Sequence, residues 1–365
     1  MRTLFDGEHP VSYSQFHLGT GTPPVEGWVM DDCFAGQCNG LCGAAERGQL
    51  MLITGLHTGR VPVTVELHDT APPVPELPEV VEVAFPVIRG PVGLYSDFID
   101  DQADLALAPD FYRVRYCAAG MDQARAMDCR VDDDPALDRY LLQFWPAPIE
   151  PDRVIRTTSE IATYWHSHAA ALPAPTRTSS ERARAVANDP KYARKRLIYR
   201  NLLWAGQQPD GPLGTVELAR TLVLLDRALA DDLVVLPAST QRDLALWTAR
   251  RAITDTRLDQ VPWISDALSH LGHTDLPGVL ADESTALHAL GATPDVPRTV
   301  VTSPDEHGVP LLAQAAALPA LSAAMNPDPT VALLDTVHHA LHAAGAENHR
   351  ALLDDLRAAA RMNER

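Results

Sequence analysis

The chain has 365 residues, 46% of them hydrophobic and 21% charged, with a formal net charge of -18. That length suits two globular domains that bury their own cores, and the hydrophobic share excludes a disordered chain. So acidic a surface repels nucleic acid, so no direct nucleic-acid binding is expected; the charge either keeps the chain soluble or steers a basic protein partner inward.

The charge is unevenly spread. Residues 1–150 hold 23 acidic and 9 basic residues, net -14, whereas 151–365 hold 25 and 21, net -4. The chain opens without a basic head and apolar run, so no signal peptide is expected. Asp226, Arg227, Asp231 and Asp232 interrupt the most apolar stretch, Leu218 to Leu236, so no membrane span is expected either. The five cysteines are an odd number, which fits free thiols in a reducing, cytoplasmic compartment.

In chain order, Val11 to Phe16 alternates and reads as a strand. Leu50 to Leu56 is a short apolar run. Val61, Val63, Val65 and Leu67 alternate with polar residues or proline, and a Pro-rich link, Ala71 to Pro78, separates them from Val81, Val83, Phe85 and Val87. Tyr112, Val114 and Tyr116 share one side of a strand, Arg113 and Arg115 the other, and Arg139 to Trp145 closes the set. Such strands, without helix-length segments between them, predict an antiparallel β-sandwich over residues 1–150, complete enough to fold alone.

Pro146 to Pro151 ends that part. Residues 151–180 read as one helix, Ser159 to Leu172, followed by a Pro/Ser linker. From 181 to 365 the period becomes 3.6, and an all-α bundle of several helices is expected. Leu218, Leu222, Leu225 and Leu229 form one stripe, with Thr215 as N-cap. Thr240 with Asp243 starts another helix, Asp328-Pro329 a third, and Glu347 to Met362 is the last.

No nucleophile elbow, P-loop or dinucleotide fingerprint is present, so no catalytic residue is assigned and no cofactor is expected. Cys33, Cys38 and Cys42 could hold zinc with a fourth ligand such as His57. Their spacing matches no regular zinc site, and free cysteines are the plainer reading. His338 and His342 lie one helical turn apart, but without a third ligand they read as surface histidines on an Ala-rich helix. Asp97, Asp100, Asp101 and Asp104 form one acidic cluster, and Asp132, Asp133 and Asp134 another. No EF-hand spacing accompanies them. They are solvated loops or a surface that docks into a basic groove, and they are the candidate partner-binding residues.

The first 150 residues resemble the competence protein ComJ family, inhibitors of a DNA-entry nuclease. The resemblance rests on Val11-Ser-Tyr-Ser-Gln-Phe16, Thr22-Pro-Pro-Val-Glu-Gly-Trp28, Asn39-Gly-Leu-Cys-Gly43, Tyr112-Arg-Val-Arg-Tyr116 and Tyr140-Leu-Leu-Gln-Phe-Trp145. It implies a sandwich without catalysis of its own that blocks a basic nuclease or toxin as an immunity or inhibitor protein. The helical extension lies outside the family pattern. The alternatives are a regulatory or structural interaction protein that works through the helical domain, and a metal-dependent enzyme of unfamiliar type.

Overall fold

Alternation produces strands where one face is apolar, and four of the expected strands occur as such. The computed structural model describes residues 1–20, 29–96, 102–131, 134–174, 189–192, 194, 197–198, 204, 208–273, 276–305 and 308–362. They fall into two compact units, Met1–Thr178 and Ser179–Arg365.

The first unit contains two sheets. The larger has six strands in the order β1 (Arg2–Val11), β5 (Gly59–Leu67), β10 (Arg139–Pro146), β9 (Asp110–Ala119), β6 (Glu79–Val87) and β11 (Arg153–Arg156). The smaller has five, in the order β3 (Cys42–Gly43), β4 (Gln49–Ile53), β2 (Gln15–Thr20), β7 (Val92–Tyr95) and β8 (Ala103–Leu105). Val63, Val83, Val114 and Phe144 of the first sheet belong to the same buried cluster as Phe16, Leu18, Leu52 and Leu94 of the second. Tyr116 Oη donates to the Ile53 carbonyl at 2.9 Å, and the Phe16 and Tyr140 rings meet at 6.3 Å.

Two expectations for this unit are corrected. The larger sheet is not purely antiparallel, because β10 runs parallel to β5. A parallel neighbour needs a long crossover, and β6 to β9 supply it. Val11 to Phe16 is not one strand. Tyr13 and Ser14 turn the chain with φ of 52° and 59° between β1 and β2.

The first unit also runs past residue 150. Strand β11 pairs with β6, and helix α3 (Glu160–Ala171) buries Ile161, Ala162 and Ala169 in the shared core. Ser159 caps α3 by accepting from the Ala162 amide at 3.2 Å. The Pro-rich stretch lies against the larger sheet. Arg115 Nη1 donates to the carbonyls of Pro72 and Pro73 (2.9 and 3.1 Å), and Arg156 Nη1 to those of Pro75 and Leu77 (2.9 and 2.7 Å). Proline offers an acceptor with no amide donor left to satisfy, which suits a segment whose carbonyls face arginines.

Acid sensitivity follows from β2. Burial, reinforced by the neighbouring His9, lowers the pKa of His17 from 6.5 to about 4. The unfolded chain therefore takes up this proton first. The His17 contribution is complete above pH 6.5 and is lost as pH falls from 6.5 to about 4, a change of about 3 kcal/mol. Burial lowers the pKa of His166 too, which acts in the same sense. Urea unfolding of the full chain at several pH values is expected to show this loss in the first unit. In His17→Asn the slope between pH 6.5 and 4 flattens; an unchanged slope would remove His17 as its source.

The second unit is built on helix α7 (Ala238–Asp255) against α12 (Pro329–Met362), the latter broken at Gly345. The expected single helix across the Leu218 stripe is two, α5 (Ala219–Leu225) and α6 (Arg227–Val234). Asp226 takes an extended conformation between them, accepts from the Leu229 amide at 3.0 Å and pairs with Arg357. Thr215 ends the short helix α4 (Pro212–Thr215) and caps nothing. Asp328 does cap α12, accepting from Thr330 and Val331 amides at 2.8 and 3.1 Å.

The unit is not all-α. Strands β12 (Val300–Thr302) and β13 (Pro310–Leu312) form a hairpin, with β12 against α12. His342 is buried, with Nε2 3.6 Å from the Asp305 carboxylate, so it is not a surface residue. His338 Nδ1 lies 3.0 Å from Thr221 Oγ1.

Candidate functional site

Three segments distant in sequence meet at one end of the first unit. The first is the turn after β1, where the amides of Ser12 and Gln15 each donate to the other residue's carbonyl (3.3 and 3.2 Å). Neither central residue is glycine or asparagine, although a turn with positive φ at both positions favours them. The turn leaves Tyr13 70% exposed, its ring 5.5 Å from that of His57.

The second segment is the loop Thr54–Thr58 between β4 and β5, fixed from below by a buried polar chain. The Gly55 amide donates to Tyr140 Oη at 2.7 Å, Tyr140 donates to Asp138 Oδ2 at 2.5 Å, and the Leu56 amide reaches the same oxygen at 3.0 Å. Burial raises the pKa of Asp138 despite the bonds it accepts from Tyr140 and Leu56. Gly55 must be small here, because a Cβ would sit 2.2 Å from the Met121 carbonyl oxygen. The turn joins this loop through the Ser14 amide to His57 O at 3.0 Å and the Thr54 amide to Ser14 O at 2.9 Å.

The third segment leaves helix α2 (Met121–Met127) at Asp128, whose φ of 67° and ψ of -63° are costly for a residue with a Cβ. Its carbonyl accepts from the amides of His57 and Thr58 at 2.9 and 3.2 Å, and the Arg130 amide returns a bond to Thr58 O at 3.0 Å. Arg130 Nη1 ties the segment to Glu8 Oε2 at 2.7 Å. Val131 next to it is 69% exposed.

These contacts bring together one imidazole, one carboxylate and one thiol. A ligand atom from each of His57, Asp128 and Cys129 lies within 4.8 Å of the others, and among the described residues this is the group of such donors close enough to hold an ion. Thr58 Oγ1 is 2.9 Å from His57 Nδ1. Lost hydration and the Asp128 carboxylate, which repels a thiolate and accepts the thiol hydrogen at 3.7 Å, push the Cys129 thiol up.

No family model and no curated protein matches the chain. Two solved structures are similar to it. One is ComJ from Bacillus subtilis, inhibitor of the DNA degrading activity of NucA, at 19% identity and a TM-score of 0.30 over 40% of this chain and 98% of that one. The other is the protein of crocagin biosynthetic gene J, at 13% identity and a TM-score of 0.26 over 39% of this chain and 95% of that one. TM-scores this low assign neither a fold nor an activity.

The residues singled out in the sequence are placed differently. Asp97, Asp100, Asp101, Asp132 and Asp133 lie outside the described residues. Asp104 is exposed on edge strand β8 and accepts from Gln102 at 2.9 Å. Asp134 accepts from the Val131 amide at 3.1 Å and so belongs to the loop beyond Cys129.

Cys33, Cys38 and Cys42 do not converge with His57 on an ion. Cys33 and Cys42 are buried, and burial raises both thiol pKa values, that of Cys33 to about 12. Their loop is closed by other residues. Asp152 Oδ2 accepts from the Cys38 and Asn39 amides at 2.8 and 2.7 Å, and His166 Nδ1 accepts from the Gly40 amide at 2.9 Å. A Cβ on Gly40 would lie 1.9 Å from the Trp165 carbonyl oxygen, so glycine lets α3 come this close. The site is not visible in the sequence, because Asp128 and Cys129 form no motif and Tyr13 alternates like a strand residue. Among the described residues no helix is long and apolar enough to cross a membrane.

Proposed function

We propose that the first unit is a non-catalytic binding domain that docks onto a basic protein, a nuclease or toxin, and blocks it as an inhibitor or immunity protein. The observation that carries this reading is the end around Tyr13. An aromatic side chain held out on a rigid turn, with exposed Val131 on the neighbouring segment and the carboxylates of Asp128 and Asp134 beside it, has the composition of a protein-docking patch. Tyrosine contributes a large contact area at low entropic cost, and a turn fixed to His57 lowers that cost further.

Charge supports the same partner class. The net -14 of residues 1–150 steers a basic surface inward, and salt screens that attraction. Nucleases present basic grooves to DNA phosphates, and the ComJ-family resemblance makes a nuclease the first partner to test. Asp97, Asp100, Asp101, Asp104, Asp132 and Asp133 belong to this proposal as charges that speed encounter.

A pull-down from the native host with the full chain as bait, washed at low and then high salt, tests it. A basic protein retained at low salt and released at high salt is expected, with recovery falling at least about tenfold in Tyr13→Ala, the loss of one aromatic anchor. A neutral or acidic partner, or one indifferent to salt and to Tyr13, would contradict the reading.

A further inference from the structure

We propose that His57, Asp128 and Cys129 form a binding site for a zinc-class divalent cation, with one protein ligand each of nitrogen, oxygen and sulfur and a fourth position open to solvent. The proposal stands independently of the docking reading.

The donor set selects the cation. Calcium and magnesium take oxygen ligands, whereas a mixed imidazole, carboxylate and thiolate set suits zinc or cobalt. The distances fit. Bonds of about 2.0–2.3 Å to a tetrahedral ion place its ligand atoms about 3.3–3.8 Å apart. The three donors already lie within 4.8 Å of one another, so closure needs about 1 Å of movement. Asp128 and Cys129 are exposed, so their side chains have room to turn toward an ion.

The backbone is already in place. His57 and Thr58 both bond Asp128 O, Arg130 bonds Thr58 O, and Thr58 forms a bridge with Cys129. The imidazole and the thiol therefore come from adjacent, hydrogen-bonded stretches of chain. Thr58 Oγ1, at 2.9 Å from Nδ1, is in place to hold the ring when Nε2 takes the ion. Such an outer partner fixes the tautomer and ring orientation of a ligating histidine. On binding, the Cys129 S–H proton passes to solvent as the sulfur–metal bond forms, with no change of oxidation state.

The other exposed thiol serves as a contrast. Cys38 is also followed by a loop that meets a carboxylate and an imidazole, but there Asp152 Oδ2 accepts from the Cys38 and Asn39 amides and His166 Nδ1 from the Gly40 amide. Among the described residues the close group of three donors is the one at Cys129, and Cys38, Asp152 and His166 do not form one.

The test is titration of the full-length protein with Co2+ under reducing conditions, followed by the near-ultraviolet sulfur-to-cobalt absorption band. The band is expected to saturate at one ion per chain and to be displaced by Zn2+. It is expected to vanish in Cys129→Ser, to weaken at least about tenfold in affinity in His57→Gln, and to persist in Cys38→Ser. Circular dichroism of each variant separates loss of the site from loss of fold. Absence of a saturating band in folded wild-type protein overturns the proposal. So does a band that survives Cys129→Ser, or one that ignores His57→Gln, which would mark an isolated surface thiol.

Discussion

Replacing Glu82 by alanine is expected to destabilise the first unit by about 3–5 kcal/mol, the cost of breaking a buried charge cluster from one side. Its carboxylate is 1% exposed and accepts from Arg113 Nε at 3.2 Å, Arg115 Nε at 2.9 Å and Arg153 Nε and Nη2 at 2.8 and 2.6 Å. Burial works against the charged form, but the bonds from Arg153, Arg115 and Arg113 outweigh it and hold the carboxyl below its usual pKa. Arg113 and Arg115 are themselves 3% and 5% exposed, so Glu82→Ala would leave two guanidinium groups buried beside each other without an anion.

The same arginines hold the segments over the sheet. Arg113 Nη1 binds the carbonyls of Glu150 and Pro151, while Arg115 holds Pro72 and Pro73, Gln143 and the face of Trp145. Loss of Glu82 should therefore loosen the Pro-rich segment as well as weaken the pair. Glu82→Gln keeps the shape and part of the hydrogen bonding, so its cost should fall between alanine and wild type. Urea unfolding followed by tryptophan emission measures both. A change under about 1 kcal/mol in Glu82→Ala would mean that water replaces the carboxylate and that the cluster is not closed.

A chain that ends after residue 150 is expected to be insoluble or molten, whereas one that ends at Thr178 is expected to fold. The shorter fragment lacks Asp152, which closes the cysteine loop, and Arg153, which completes the Glu82 cluster. It also lacks α3, whose buried Ile161 alone contributes roughly 1.5–3 kcal/mol of burial. Without α3 the Glu79 carboxylate, buried and bonded to the amides of Thr158 and Ser159, has no partner among them. Near-ultraviolet circular dichroism and dye binding of the two fragments check this. A cooperative, well-packed 1–150 fragment would show that these contacts are accessory.

This reverses what the prolines at 146, 148 and 151 suggest in the sequence. They do end β10, but the chain then returns to the same sheet. Strands β5, β6, β9 and β10 were legible because their core-facing positions are apolar at every second residue. The opposite face gives no such signal. Arg113 and Arg115 look like a solvated face, yet that face is covered by the Pro-rich segment and by Glu150–Pro151. Alternation distinguishes two faces but does not say whether the polar one meets water.

Local exceptions to chain statistics account for the other differences. Tyr13 and Ser14 turn with positive φ without glycine or asparagine, because Ser14 is bonded on both sides to the Thr54–His57 loop. Asp226 interrupts an apolar stripe at a single residue by capping the helix that follows. In the candidate site, the acidic residues were visible as composition. The pairing of His57 with Asp128 and Cys129 was not, because it depends on backbone bonds between segments that no motif links.

In the proposed function the Tyr13 end of the first unit docks onto a basic nuclease and blocks it. The most direct measurement is the DNA-cleaving activity of the basic protein recovered with this chain, assayed with added wild type, Tyr13→Ala and Val131→Arg. Stoichiometric inhibition by wild type at low salt is expected, relieved by salt and weakened at least about tenfold by either substitution, as for an anchor at the centre of a docking patch. Full cleavage in the presence of excess wild type, or inhibition untouched by both substitutions, would contradict it.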